Sequence, residues 1–172
     1  MSMLQSFKYF QMLNKIYGNQ FFYFISLLVL QIFSAHLFSF LCPFVLGEED
    51  CNVKYSKDTD GLINIFLVGS IFGPLIETAI FQYLPITIYK KYITSKSKNK
   101  ELILIIISAL IFGLTHNYNL FRIIDATIAG IIFAFIFFYF SGKGKSGFFY
   151  TFLMHAIFNT YVFILVDVLK IA

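Results

Sequence analysis

The sequence predicts an all-α fold, a polytopic membrane helix bundle with about five transmembrane helices, on three observations. Of its 172 residues, 59% are hydrophobic and 13% charged, and 24 are Phe, a composition far from that of a soluble domain. Apolar runs recur at the length of roughly 20 residues that a hydrocarbon core of about 30 Å demands of a helix. The Lys and Arg residues fall in the gaps between these runs, so the formal charge of +4 reads as a topological signal and not as a surface for nucleic acid. The expected partner is the lipid bilayer. No Ser/Gly/Pro-rich linker or internal repeat divides the chain, which is expected to fold as one unit.

Lys8 and Lys15 stand ahead of the first apolar segment. That segment is too long for a signal peptide and lacks a small-residue cleavage site, so it is read as retained. An amphipathic helix on the membrane surface from Leu4 to Tyr17 is weakly signalled. The first span runs from Phe21 to Cys42, 22 uncharged residues or about 33 Å of helix, and should end at Pro43. Gly47 to Gly61 is a polar loop with Glu48, Glu49, Asp50, Asp58 and Asp60 set against Lys54 and Lys57. Cys42 and Cys51 flank its start and could form a disulfide in an oxidising compartment or remain two thiols.

The second span covers Leu62 to Tyr89 and should kink where Pro74 leaves the Ser70 carbonyl without its helical donor. Lys90, Lys91, Lys96, Lys98 and Lys100 follow as the densest positive cluster. Leu102 to His116 is the third span, short unless its helix begins inside the Lys-rich loop, and Asn117-Tyr118-Asn119 makes a tight polar turn. The fourth, from about Leu120 to Phe140, carries Arg122 and Asp125 near its start, then Gly130, which could allow close helix contact. Ser141 to Gly147 is a loop with Lys143 and Lys145, and Phe148 to about Val166 is the fifth span. Asp125 and Asp167 lie near predicted helix ends and are expected to face the interface. With five spans and the amino terminus inside, nine positive residues lie on the cytoplasmic side and four outside, which favours a cytoplasmic amino terminus.

Glu77 is a carboxylate in the middle of an apolar run. It costs roughly 2.5–3.5 kcal/mol at bilayer depth and so calls for partners inside the bundle. Three spans offer them. His155 and Asn159, spaced i, i+4, share one face of the fifth span. His116 closes the third span beside the small Gly113. Each taken alone could be a packing or interface residue, but together three separate spans supply groups fit for proton transfer or metal binding. His36 stands apart on the first span, where a hydrogen bond to a neighbouring helix accounts for it.

These segments resemble the CPBP family of intramembrane proteases, also called the Abi or CaaX protease family, which includes the Ras-converting type of CaaX prenyl endopeptidase. The family carries EExxxR, FxxxH and HxxxN or HxxxD on successive core helices. Here Glu77 matches the leading Glu, Phe112 and His116 the second motif, and His155 and Asn159 the third, with Pro74 three residues before Glu77. Thr78 replaces the second Glu, Gln82 the Arg and Tyr83 a common Gly. Because both members of an i, i+4 charged pair are missing together, no orphan charge is left, and Thr78 with Gln82 could form a neutral hydrogen bond.

The resemblance covers about Leu62 to Val166. It implies a division into an amino-terminal segment with the first transmembrane helix and acidic loop (1–61) and a four-helix catalytic core (62–172). It also implies an endopeptidase that hydrolyses a peptide bond in a membrane-associated peptide or protein, in a bacterial plasma membrane, with a role in bacteriocin processing or self-immunity. Glu77 would be the general base, His116 would position or protonate around the same water, and His155 with Asn159 would form the oxyanion pocket. The metal-free mechanism is preferred, with zinc through Glu77, His116 and His155 the other option. A non-catalytic immunity or scaffold protein that keeps the polar core is the alternative function. One geometric demand remains, since counting from the cytoplasmic helix ends places His155 about 10 Å deep and His116 about 20 Å. The helices must tilt or start elsewhere for the two to meet.

Overall fold

The computed structural model describes residues 20–51, 61–92 and 100–170. The surface helix expected over Leu4 to Tyr17 lies outside the described residues, as do 52–60 of the acidic loop and 93–99 of the Lys-rich loop. Among the described residues six helices follow in order: α1 (Gln20–Leu46), a single turn α2 (Glu48–Cys51), α3 (62–92), α4 (Lys100–Thr115), α5 (Leu120–Gly142) and α6 (Gly147–Phe163, continued by a π turn over Ile164–Val168). The spans beginning at Gln20, Leu62, Leu120 and Gly147 are long and apolar enough to cross a membrane. The fourth helix, α4, has 16 residues, about 24 Å, shorter than the hydrocarbon core. It does begin inside the Lys-rich segment, at Lys100.

The first helix runs past the expected stop at Pro43 and ends at Leu46. A proline near a helix end forfeits a single backbone bond. The helix stops where Gly47 takes φ +89 and donates its N–H to the Pro43 carbonyl at 3.1 Å, a left-handed cap that glycine adopts without strain. Just beyond it Cys51 is bonded to Cys42, with Cα atoms 5.9 Å apart, so the structure selects the disulfide over free thiols.

The helix α5 is the axis of the bundle, the most buried of its long apolar helices. Its antiparallel neighbour α4 reaches it through the tight turn 116–119, where the Asn119 side chain accepts the Arg122 N–H at 2.9 Å and caps the helix. The expected close contact at Gly130 is present, since a Cβ there would stand 2.8 Å from the Ala109 Cα. On its other flanks α5 meets α1 and α6. Phe24, Phe112, Ala126, Ala129, Phe133, Ile136, Phe140 and Met154 join α1, α4, α5 and α6 in one buried cluster. Many other large apolar side chains of α1 and α3, such as Phe33, Phe40, Ile63 and Ile76, face outward as lipid-facing surface should.

Two π turns, Leu67–Phe72 and Thr78–Tyr83, interrupt α3 on either side of the α-helical turn Gly73–Glu77. They change the expected effect of Pro74. In the wider register the Gly73 N–H bonds the Val68 carbonyl, so the carbonyl left facing the proline is that of Gly69 and not that of Ser70.

The expected hydrogen bond between Thr78 and Gln82 does not form. Both residues are fully buried, and the Thr78 hydroxyl and both polar atoms of the Gln82 amide have no protein partner. The second π turn starts at Thr78, so the α-helical spacing on which that pairing depended does not hold across this stretch. An unpartnered buried amide costs about 1–3 kcal/mol, whereas an apolar side chain of similar shape does not. Gln82→Met should therefore unfold at the same or a higher temperature than the wild type in detergent micelles, read by thermal unfolding.

Candidate active site

Glu77 ends the α-helical turn that follows Pro74, and the π turn beginning at Thr78 re-aims the chain directly after it. Its Oε2 lies 3.6 Å from His155 Nε2 and 4.0 Å from His116 Nε2. The two histidines on different helices thus meet on one carboxylate, as the sequence requires of a site. Both separations exceed a direct hydrogen bond and suit a bridging water.

The depth mismatch is resolved by a recessed turn. Ser34 lies 12 residues below the end of α1 and donates its hydroxyl to Asp125 Oδ1 at 2.8 Å, yet Asp125 is only five residues into α5. At 1.5 Å per residue the start of α5 therefore sits about 10 Å below the end of α1. Phe38 against Phe121, with ring centroids 6.1 Å apart, repeats the offset. The short α4 ends deep in the bundle, and His116 is lowered toward Glu77.

The partners of each ring decide which of its nitrogens carries the proton. His116 Nδ1 lies 2.9 Å from the Phe112 carbonyl, which can only accept, so Nδ1 carries the proton and Nε2 turns a lone pair toward Glu77. His155 is 3% exposed, stacks on Phe133 with centroids 4.6 Å apart and meets the edge of Phe112. Its Nδ1 is buried with no acceptor, so the neutral ring keeps its proton on Nε2, the nitrogen turned toward Glu77. One histidine offers a lone pair, the other an N–H.

Asn159 lies one turn beyond His155 and donates its side-chain N–H to the Gly69 carbonyl at 2.8 Å. That is the carbonyl Pro74 leaves without a donor. The side chain thus ties α6 to the irregular turn that carries the site, with one amide hydrogen still uncommitted by this bond. Asn159→Leu should cost about 1–3 kcal/mol by stranding the carbonyl, measurable as a loss of resistance to unfolding in micelles.

A cavity of about 580 Å³ joins these groups, within the range of about 300–1,000 Å³ that holds small ligands. Glu77, His116, His155 and Asn159 all line it. So does Asp125, expected at the interface but in fact 9% exposed and bonded to Ser34 across the α1 contact. Asp167 lines its far end. Gln31, 1% exposed with neither amide atom partnered, forms part of the wall from α1. Sequence reasoning passed over Gln31 and Ser34, whose i, i+3 spacing in an otherwise apolar span was the available signal. His36 pairs with the Tyr161 hydroxyl on α6, the neighbouring-helix bond expected for it.

A family model for type II CAAX prenyl endopeptidase Rce1-like proteins matches residues 59–161. The chain belongs to that family. No curated protein and no solved structure matches it. At family level the activity is that of a CAAX-type intramembrane protease. The Rce1-like match spans Glu77, His116, His155 and Asn159 and begins after α1. The first helix, with Gln31 and Ser34, thus adds a cavity wall from outside the matched region.

Among the described residues no three His, Cys, Asp or Glu side chains are grouped closely enough to hold a metal ion as placed. The His116 tautomer would leave Nε2 available to a metal, but His155 Nδ1 lacks the second partner that usually orients a ligating ring.

Proposed function

We propose that this protein is an intramembrane endopeptidase that hydrolyses a peptide bond in a membrane-associated peptide or protein, with Glu77, His116, His155 and Asn159 as its catalytic groups. The observation that carries the reading is the approach of both Nε2 atoms to one Glu77 oxygen, at 3.6 and 4.0 Å, inside a cavity large enough for a peptide segment and water.

A water held at Glu77 gives one proton to the carboxylate, and its oxygen attacks the scissile carbonyl carbon. The His116 lone pair orients that water, because the Phe112 carbonyl fixes the ring tautomer. The oxyanion accepts the His155 Nε2–H and the uncommitted Asn159 amide hydrogen. As the C–N bond breaks, Glu77 returns the proton to the leaving nitrogen, and the carboxylate is regenerated. No step is routed through a metal.

The lysine distribution supports an amino terminus in the cytoplasm, and the reading places the protein in a bacterial plasma membrane, with processing of a bacteriocin or self-immunity as its use. The test is cleavage of a quenched membrane peptide by the reconstituted protein. Turnover that survives exhaustive chelation supports the glutamate mechanism. Turnover lost on chelation and restored by zinc selects zinc held by Glu77, His116 and His155. A folded wild type that never cleaves selects the non-catalytic immunity or scaffold reading.

A further inference from the structure

We propose that the cavity opens on the non-cytoplasmic face of the membrane, so that its substrates are peptide segments exposed on, or inserted from, that face. The substrate half of this inference rests on the proteolytic reading, whereas the sidedness follows from placement alone.

The cavity belongs to one end of the bundle. Its lining runs from Asn64 and Asp167, near the start of α3 and the end of α6, down to Glu77, His155 and Phe133. Glu77 is 15 residues from Leu62 and His155 is 13 from Val168, or about 22 and 20 Å. No lining residue comes from 20–30, 78–92, 100–111 or 134–154, the halves that lead to the opposite end. The recessed turn 116–119 creates the space, because α4 stops short and leaves the volume above it to water or substrate. Asn64 and Tyr118 are exposed at the rim, and the site below is reached past them.

Two independent features give that end its side. In the sequence Lys90, Lys91, Lys96, Lys98 and Lys100 fall at or between the end of α3 and the start of α4, Lys143 and Lys145 fall between α5 and α6, and Lys8 and Lys15 precede Gln20, nine of the 13 positive residues; those helix ends are the ones opposite the cavity. Clusters of this kind stay in the cytoplasm. The Cys42–Cys51 disulfide sits instead at the cavity end, beside Asn119 and Arg122 at the recessed turn. Disulfides persist in oxidising compartments and are rare in the cytosol. Charge and redox chemistry agree, and both put the mouth outside.

The test is labelling of the full-length protein in the bacterial inner membrane with a membrane-impermeant maleimide, read by peptide mass so that the native disulfide does not confuse the count. Asn64→Cys at the mouth should label in right-side-out spheroplasts and Lys143→Cys in inverted vesicles only. Gly61→Cys and Lys145→Cys repeat the pair should either first variant fail to insert. The reverse pattern, or both ends labelling from one side, overturns the proposal. An impermeant quenched peptide added to sealed vesicles should then be cleaved in the right-side-out preparation and at least tenfold more slowly in the inverted one. Cleavage favouring inverted vesicles overturns the substrate half. Absence of cleavage in both, with the expected labelling, removes the proteolytic reading and the substrate half with it, and leaves the sidedness standing.

Discussion

On the proposed mechanism, Glu77→Gln should lower turnover of the quenched peptide by about 10²–10⁴-fold, while the folded fraction stays that of the wild type. The amide keeps the shape of the carboxylate but cannot take the proton of the attacking water. Because Glu77 is part-exposed to the cavity and carries no packing contact comparable to that of His155, its loss separates chemistry from folding. His116→Ala should act in the same direction through the attacking water. His155→Ala should also lose activity, but it removes a ring stacked between Phe133 and Phe112, so its folded fraction must be measured alongside. Equal cleavage by wild type and Glu77→Gln would remove Glu77 from the chemistry.

Gly130→Val should disrupt the bundle more than any substitution at the site. At Gly130 the α5 backbone approaches α4 so closely that an added Cβ would lie 2.8 Å from the Ala109 Cα and 3.2 Å from its carbonyl oxygen. Both are backbone atoms, so no rotamer change relieves the clash and the helices must separate. Overpacking of this kind costs typically 1–3 kcal/mol and here acts on the most buried helix. In micelles the variant should unfold several degrees below the wild type and lose turnover in proportion to its folded fraction. If it keeps full stability, the α4–α5 contact is looser than the structure shows.

The two predictions rest on features of unequal legibility. Gly130 and Gly113 were visible as small residues in apolar spans, and the pairing of His155 with Asn159 on one helix face followed from spacing. The end of α1 is not legible, because Pro43 is the stronger sequence signal while the left-handed cap at Gly47, four residues on, is what stops the helix. The role of Pro74 was legible in kind but not in register, since nothing in the sequence announces the π turns that shift the unpaired carbonyl to Gly69. From its position near a helix end Asp125 reads as an interface residue. In a bundle with a recessed turn that position is deep, and the residue bonds Ser34 inside the protein.

By itself the sequence determined that the chain lives in a membrane, where its spans lie, and which side chains are too costly in lipid to be idle. Periodicity and the expense of burying charge are local properties, readable one segment at a time. Only the tertiary structure decided that Glu77 meets both histidines, that Asn159 serves the Gly69 carbonyl, and that Thr78 and Gln82 do not pair with each other. The first outcome depends on how far one helix end is sunk relative to another, which the contacts between helices set, and the other two on the π turns that shift the register of α3.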